Sequence, residues 1–165
     1  MLRLASFDVV FQEIPGEVTL ALNLSGCPNR CAGCHSPHLW EEVGEPLDDN
    51  LLNSLLSGYG NAITCVCFMG GDAAPGDVAH WSACVRAATE GRLKTGWYSG
   101  VLNWPQVSTR SFDYIKLGPY VAQFGRLGFR FDEPAALPGD GRRNEGHYGG
   151  VEEQGSYVIG LIESY

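Results

Sequence analysis

Positive charge is scarce in this sequence. Its 165 residues hold 11 Lys and Arg against 19 Asp and Glu, a formal net charge of −8. The one run of adjacent basic residues is Arg142–Arg143. Proteins that bind the nucleic-acid backbone carry a basic patch or stripe. The charge pattern therefore predicts no nucleic-acid partner.

Long apolar runs are also missing. The longest, at residues 62–69, is far shorter than a membrane-spanning helix of about 20 residues. Asp8 interrupts the apolar stretch near the amino terminus before it reaches the length of a secretory signal. We expect no membrane association and a cytoplasmic location, where the six cysteines stay reduced rather than forming disulfides.

Strand and helix patterns alternate along the first two thirds of the chain. Runs rich in β-formers predict strands at 17–24, 62–69, 93–99 and 112–117. One helix is expected to begin at Asp48 or Asp49 and end at Gly58, and a second to cover 78–88 before Gly91. This alternation indicates a parallel α/β sheet, in which ligands bind beyond the carboxyl ends of the strands.

The last third has a different character. Residues 121–165 are dense in Gly and Pro, which is typical of irregular structure. We expect 135–150 to be irregular and 156–165 to contain a closing strand. With 44% hydrophobic and 18% charged residues, the whole of 1–165 is predicted to be one folded domain, with 121–165 as its atypical segment.

Three cysteines fall within eight residues of the segment NLSGCPNRCAGCHSPHLW, at residues 23–40. Cys27, Cys31 and Cys34 lie among glycine and proline, where no helix or strand period would bury them, and they follow the end of a predicted strand. Three sites are possible: a thioredoxin-like pair at Cys31 and Cys34, a zinc site completed by His35 or His38, or three corners of a 4Fe–4S cluster.

The spacing favours the iron–sulfur cluster. A redox pair leaves Cys27 unexplained, and Pro37 stands where a helix should open. Zinc sites usually combine ligand pairs from two separate segments. Three thiolates on a flexible loop suit a cube whose fourth iron keeps an open coordination position. The zinc and redox alternatives stay open on the residues alone.

The other three cysteines have two interpretations. Cys65 and Cys67 alternate on a predicted strand, and Cys84 lies on the helix that follows. They would supply a second cluster or a fourth ligand in one interpretation. Cysteine also behaves as a small buried hydrophobic residue, and we expect this packing role for all three.

Four sequence blocks together are more specific than the cysteines alone. The segments SGCPNRCAGCHSPHLW, CFMGGD, KTGWYSG and FDYIKLGPY occur in this order. They closely resemble the activating proteins of anaerobic ribonucleoside-triphosphate reductases, a family of glycyl radical enzyme activases in the radical S-adenosylmethionine superfamily. The resemblance covers residues 7–120. Members usually carry a Thr-Asn-Gln-Arg segment after the last block, and this sequence has none.

The resemblance implies a fold and an activity. The fold would be a compact partial (βα) barrel with parallel strands and helices on the outside. The reduced cluster would cleave S-adenosylmethionine to methionine and a 5′-deoxyadenosyl radical. That radical would generate a glycyl radical on the large subunit of the reductase. A flavodoxin- or ferredoxin-type donor would supply the electron.

The resemblance also implies residue roles. Cys27, Cys31 and Cys34 would ligate the cluster, and Asp72 would bind the ammonium group of the cosubstrate. Other cosubstrate contacts are implied at the adenine for Gly33, Cys34 and His35, at the methionyl end for Gly70 and Gly71, and at the ribose or carboxylate for Lys94, Tyr98 and Ser99.

Overall fold

The computed structural model describes residues 1–101, 107–108, 110 and 112–119, and the backbone of 152–153 and 156–159. Its strands are β1 (Arg3–Val10), β2 (Thr19–Leu24), β3 (Glu45–Pro46), β4 (Cys65–Met69), β5 (Lys94–Ser99), β6 (Tyr114–Leu117), β7 (Glu152–Glu153) and β8 (Ser156–Ile159). The helices are α1 (Asp49–Tyr59), α2 (Pro75–Ala88) and a short 3₁₀ helix at Pro37–Trp40.

The described strands form one sheet in the order β3-β1-β2-β4-β5-β6-β8-β7. Strands β2, β4, β5, β6 and β8 run parallel, as the alternation of strands and helices predicts, but the sheet as a whole is mixed. Strand β1 pairs antiparallel with β2 and β3. Strand β1 was not predicted, because its sequence shows no simple alternation of buried and exposed residues. Its pairing with β2 stabilises it.

Both helices pack on the same face of the sheet. Helix α1 buries Leu52 and Leu55, and α2 buries Val78 and Val85. All four join the hydrophobic cluster that contains Trp97 of β5. A partial barrel requires its helices to lie on one face of the sheet, as they do here. Closure of the sheet into that barrel stays a prediction.

The two ends of α1 differ in how well they were predicted. Asp48 caps the helix as expected, because its Oδ1 accepts a hydrogen bond of 2.8 Å from the amide of Leu51. The predicted end at Gly58 is wrong, since the helix continues to Tyr59 and Gly60 follows as its cap. Arg92 donates to the carbonyl of Gly60 at 2.8 Å, so a distant residue stabilises the later end.

The opposite face of the sheet buries two of the cysteines. Cys65 and Cys67 are fully buried beside Ile14, which confirms their predicted packing role. Burial raises the pKa of both thiols. Cys84 is half-buried on α2, with its sulfur 3.6 Å from Nε2 of His80.

The carboxyl-terminal predictions have a mixed outcome. The closing strand is confirmed at Ser156–Ile159, which pairs parallel with β6. The irregular segment predicted at 135–150 lies outside the described residues, and a single domain over 1–165 stays a prediction. Within the described part of the chain, neither helix has the length and apolar character to cross a membrane.

Candidate functional site

The cysteine loop leaves the sheet at the carboxyl end of β2 and is closed at its base by backbone hydrogen bonds. The amide of Gly26 donates to the carbonyl of Glu41 at 3.2 Å, and the amide of Cys27 donates to Leu39 at 2.9 Å. The hydroxyl of Ser25 bonds the carbonyl of Val43 at 2.7 Å. The loop therefore begins and ends at the same edge of the sheet.

Left-handed residues reverse the chain inside this loop. Gly26, Arg30 and Gly33 have φ values of 76°, 44° and 72°. The amide of Cys34 donates to the carbonyl of Cys31 at 3.1 Å, which folds the C-x-x-C segment into a tight turn. Cys27, Cys31 and Cys34 are free thiols, and each is half-buried.

The three thiols fit the donor set of an iron–sulfur cluster. Among the described residues, no three His, Cys, Asp or Glu side chains converge on a point where one metal ion would be held. A cube makes a different demand, because each thiolate binds a different iron and the sulfurs stand around the cube. The amide of Ser36 lies 3.4 Å from Sγ of Cys34, and hydrogen bonds to ligand sulfurs tune cluster potentials.

The glycine pair follows β4, next to the cysteine loop. Gly70 has φ 97°, and its peptide is bonded to β5: its amide donates to Tyr98 and its carbonyl accepts from Nε1 of Trp97, both at 2.8 Å. A Cβ on Gly71 would lie 2.5 Å from Cγ2 of Val78. Packing against Val78 therefore excludes a side chain at Gly71, a constraint that was not predicted from the sequence. The cosubstrate contact implied for both glycines stays a prediction.

Asp72 connects the cysteine loop to the end of β5. Its Oδ2 accepts 2.5 Å from Nδ2 of Asn29 in the cysteine loop and 2.9 Å from the amide of Gly100, and its Oδ1 accepts 2.6 Å from Oγ of Ser99. All three donors are neutral. Within the described residues no cationic side chain forms an ion pair with Asp72, so its negative charge is available to a cationic ligand.

Lys94 lies at the other edge of the sheet. The resemblance groups it with Tyr98 and Ser99, but Lys94 is the first residue of β5 and the other two stand at the end of that strand. Five residue steps, about 16 Å of strand, separate it from Ser99. Its Nζ is 2.5 Å from Oε1 of Glu17 and 3.0 Å from the hydroxyl of Tyr114. The ion pair with Glu17 gives Lys94 a structural role, and its implied contact with the cosubstrate stays a prediction.

The remaining predicted residues divide between the two faces of the sheet. Ser99 is buried against Asp72. Tyr98 points to the opposite face, where its hydroxyl donates to the carbonyl of Glu13 and the Nζ of Lys116 lies 4.7 Å from its ring centroid. Burial raises the pKa of Tyr98. Gly33 and His35 are exposed on the cysteine loop.

Two residues of this site, Asn29 and Gly100, were not predicted from the sequence. Asn29 stands between two of the loop cysteines, and a polar side chain inside a candidate metal loop is a usable signal. Gly100 carried no signal, because only its distance to Asn29 shows why a side chain is excluded there.

Comparison with known proteins agrees with the iron–sulfur interpretation. No curated protein and no solved structure matches this chain. A family model described as a 4Fe-4S single cluster domain matches residues 15–119. The match spans more than half of the chain and includes the cysteine loop, the Gly70–Asp72 turn and β5. This chain belongs to the 4Fe-4S single cluster domain family.

Proposed function

We propose that this protein is a radical S-adenosylmethionine enzyme that generates a glycyl radical on the large subunit of an anaerobic ribonucleoside-triphosphate reductase. One observation carries the proposal. Asp72 hydrogen-bonds both the cysteine loop and the end of β5, so three of the four resembling blocks meet at one edge of the sheet. Ligand sites in parallel α/β sheets form at this edge.

The cysteine loop would hold the cluster through Cys27, Cys31 and Cys34. When bound, the cluster supplies a low-potential electron and one open iron position for the amino-acid end of S-adenosylmethionine. The loop contributes thiols that are already free and half-buried. Its closed base holds the two ends of the loop together and so limits how far these thiols can separate.

Asp72 is the group we assign to the ammonium of the cosubstrate. The donors that hold this carboxylate are all neutral, and a charge-assisted hydrogen bond from an ammonium group is stronger than a neutral one. Ser99 fixes Oδ1 at 2.6 Å and Gly100 fixes Oδ2 at 2.9 Å. The carboxylate is thereby oriented before any ligand arrives, which lowers the entropy cost of binding.

The partners belong to the proposal through the resemblance. They are the large subunit of the reductase, which carries the acceptor glycine, and a flavodoxin- or ferredoxin-type electron donor. A cytoplasmic location is consistent with reduced, unpaired thiols.

The first experiment measures metal content and cleavage of S-adenosylmethionine by protein prepared without oxygen. We expect about four iron and four sulfide per chain, and formation of methionine and 5′-deoxyadenosine after reduction with dithionite. Cys27→Ala, Cys31→Ala and Cys34→Ala should each abolish cleavage. Cys84→Ala is the matched control and should keep both the iron and the activity.

Other outcomes would contradict the proposal. One zinc per chain without iron would indicate a structural metal site. A reversible disulfide between Cys31 and Cys34 in a metal-free protein, unaffected by Cys27→Ala, would indicate a dithiol oxidoreductase. For the substrate, electron paramagnetic resonance after mixing with a candidate reductase should give a glycine-centred doublet, and its absence with every reductase tested would contradict the partner assignment.

A further inference from the structure

The side chain of Asn29 connects the cysteine loop to Asp72. Asn29 lies two residues after Cys27 and two before Cys31. Its Nδ2 is 2.5 Å from Oδ2 of Asp72. Any movement of the loop that carries the thiols therefore also moves Asn29. A change at Asp72 in turn alters a direct contact of that loop.

Gly100 leaves the space in which this contact forms. A Cβ at Gly100 would lie 2.4 Å from Nδ2 of Asn29 and 3.2 Å from Oδ2 of Asp72. Gly100 is not among the glycines with positive φ, so its backbone would accept alanine. Asn29 can therefore occupy its position only because residue 100 has no side chain. The presence of glycine at position 100 supports the contact independently of the hydrogen bond itself.

The acceptor atom is already crowded. A carboxylate offers about four lone-pair positions on two oxygens, and Oδ2 of Asp72 receives donors from both Asn29 and Gly100. Oδ1 is bonded to the buried hydroxyl of Ser99, whereas Oδ2 faces the cysteine loop through Asn29. An ammonium group held beside that loop therefore meets Oδ2 and must compete with one of its two donors. The amide of Gly100 directly follows β5 in the backbone, whereas the Asn29 donor is a side chain on a loop. Asn29 is therefore the donor that a ligand displaces.

We propose that Asn29 is a positioning residue that couples the cysteine loop to the ammonium site at Asp72. In the ligand-free protein it holds the loop against Asp72. When an ammonium-bearing ligand binds Asp72, Asn29 is released and the loop gains freedom. The identity of that ligand as S-adenosylmethionine rests on the proposed function. Because coupling is reciprocal, releasing the loop from Asp72 also favours binding of the ligand there.

The coupling predicts two effects of opposite sign. Removing the side chain of Asn29 loosens the loop, yet it also removes a competitor for Oδ2 and so tightens binding of the ammonium group. A residue that merely supported the fold would weaken both properties when removed. The opposite signs distinguish a coupling residue from a structural one.

The test uses the variants Asn29→Ala and Gly100→Ala, which disrupt the contact by different means. The control is Asn53→Ala, at an exposed position of α1. Hydrogen–deuterium exchange of the metal-free protein reports on loop amides at 26–40. Anaerobic equilibrium dialysis of the iron-loaded protein gives the dissociation constant of S-adenosylmethionine, with 5′-methylthioadenosine as a probe that lacks the ammonium group.

We expect about tenfold faster loop exchange in both variants and about three- to tenfold tighter binding of S-adenosylmethionine. Binding of 5′-methylthioadenosine and the Asn53→Ala control should not change. The double variant should match either single one, because both remove the same contact.

Failure of this inference differs from failure of the proposed function. If wild-type protein binds S-adenosylmethionine and Asn29→Ala weakens that binding, the coupling is overturned and the proposed function stands. Unchanged loop exchange in both variants also overturns the coupling. If the iron-loaded wild type does not bind S-adenosylmethionine, the proposed function fails and the coupling to that ligand fails with it.

Discussion

The amino and carboxyl edges of the sheet each hold an acidic side chain with three donors, but with different charges around it. At the amino edge, Glu17 accepts from the Lys94 Nζ at 2.5 Å and the Tyr114 hydroxyl at 2.7 Å on Oε1, and from the Thr64 hydroxyl at 2.6 Å on Oε2. Burial by itself would raise the pKa of Glu17, but these hydrogen bonds outweigh it and lower the pKa.

At the carboxyl edge, the donors to Asp72 are an amide side chain, a hydroxyl and a backbone amide. None of them carries a charge. At the amino edge the negative charge of Glu17 is neutralised within the protein, because its cationic partner is the side chain of Lys94. Among the residues that the structure describes, the carboxylate at the other edge has no cationic partner, and we infer that a ligand supplies the cation. The position of one lysine thus separates a structural carboxylate from a candidate binding group.

The largest expected effect that tests this comparison is on cosubstrate affinity. Asp72→Asn removes the charge, so we expect S-adenosylmethionine to bind roughly ten- to a hundredfold more weakly, the value of a hydrogen bond to a charged group. Glu17→Gln is the matched change at the amino edge and should leave affinity within about twofold, below the 1 kcal/mol scale of a direct contact. Equilibrium dialysis measures both, and equal losses would erase the distinction between the edges.

Next in size is an effect on stability alone. Lys94→Met keeps the aliphatic stem but leaves Glu17 buried without its cation. Breaking a fully buried pair costs about 3–5 kcal/mol, and because the Lys94 side chain is 51% exposed we expect a smaller loss of about 1–2 kcal/mol. Urea denaturation of the metal-free protein measures this loss.

The control for that measurement is Arg30→Met. Arg30 pairs with Glu41 at 3.5 Å, with both side chains more than half exposed, so the free energy of unfolding should fall by less than about 1 kcal/mol. A loss of cosubstrate affinity in Lys94→Met, with stability unchanged, would restore Lys94 to the binding site.

A smaller effect should appear in the pH dependence of stability. The folded-state pKa of Glu17 lies below the usual value of 4.5, so its stabilisation is complete above that value and is lost as pH falls through the folded pKa. The difference in free energy of unfolding between wild type and Glu17→Gln should therefore shrink on acidification below about pH 4.5. A difference that grows in acid would mean that Glu17 is protonated in the folded protein.

The smallest expected effect lies away from both edges. A Cβ at Gly58 inside α1 meets nothing within 4 Å, so Gly58→Ala should stabilise the protein by about 0.5–1 kcal/mol through helix propensity. Gly60→Ala is the contrast, because the new Cβ would lie 2.4 Å from the carbonyl oxygen of Leu56. This change should destabilise the protein. Thermal denaturation measures both, and neither change should alter cosubstrate affinity.

Local patterns predicted much of the fold. The Asp48 cap, the parallel strands and the burial of Cys65 and Cys67 depend on residues close in sequence, and the structure has them as expected. The end of α1 was predicted too early because Arg92, 32 residues from Gly60, completes that end. Strand β1 was not predicted for a similar reason, because its conformation depends on pairing with β2.

The sequence by itself determined the cysteine loop, the alternation of strands and helices, and the family to which the chain belongs. These follow from residue spacing over short distances, where few conformations are possible. Only the tertiary structure decided that Lys94 neutralises Glu17, that Asp72 meets Asn29, and that Gly100 makes room for them. These contacts join residues 28 to 77 positions apart, and strand register, which no local pattern specifies, brings them together.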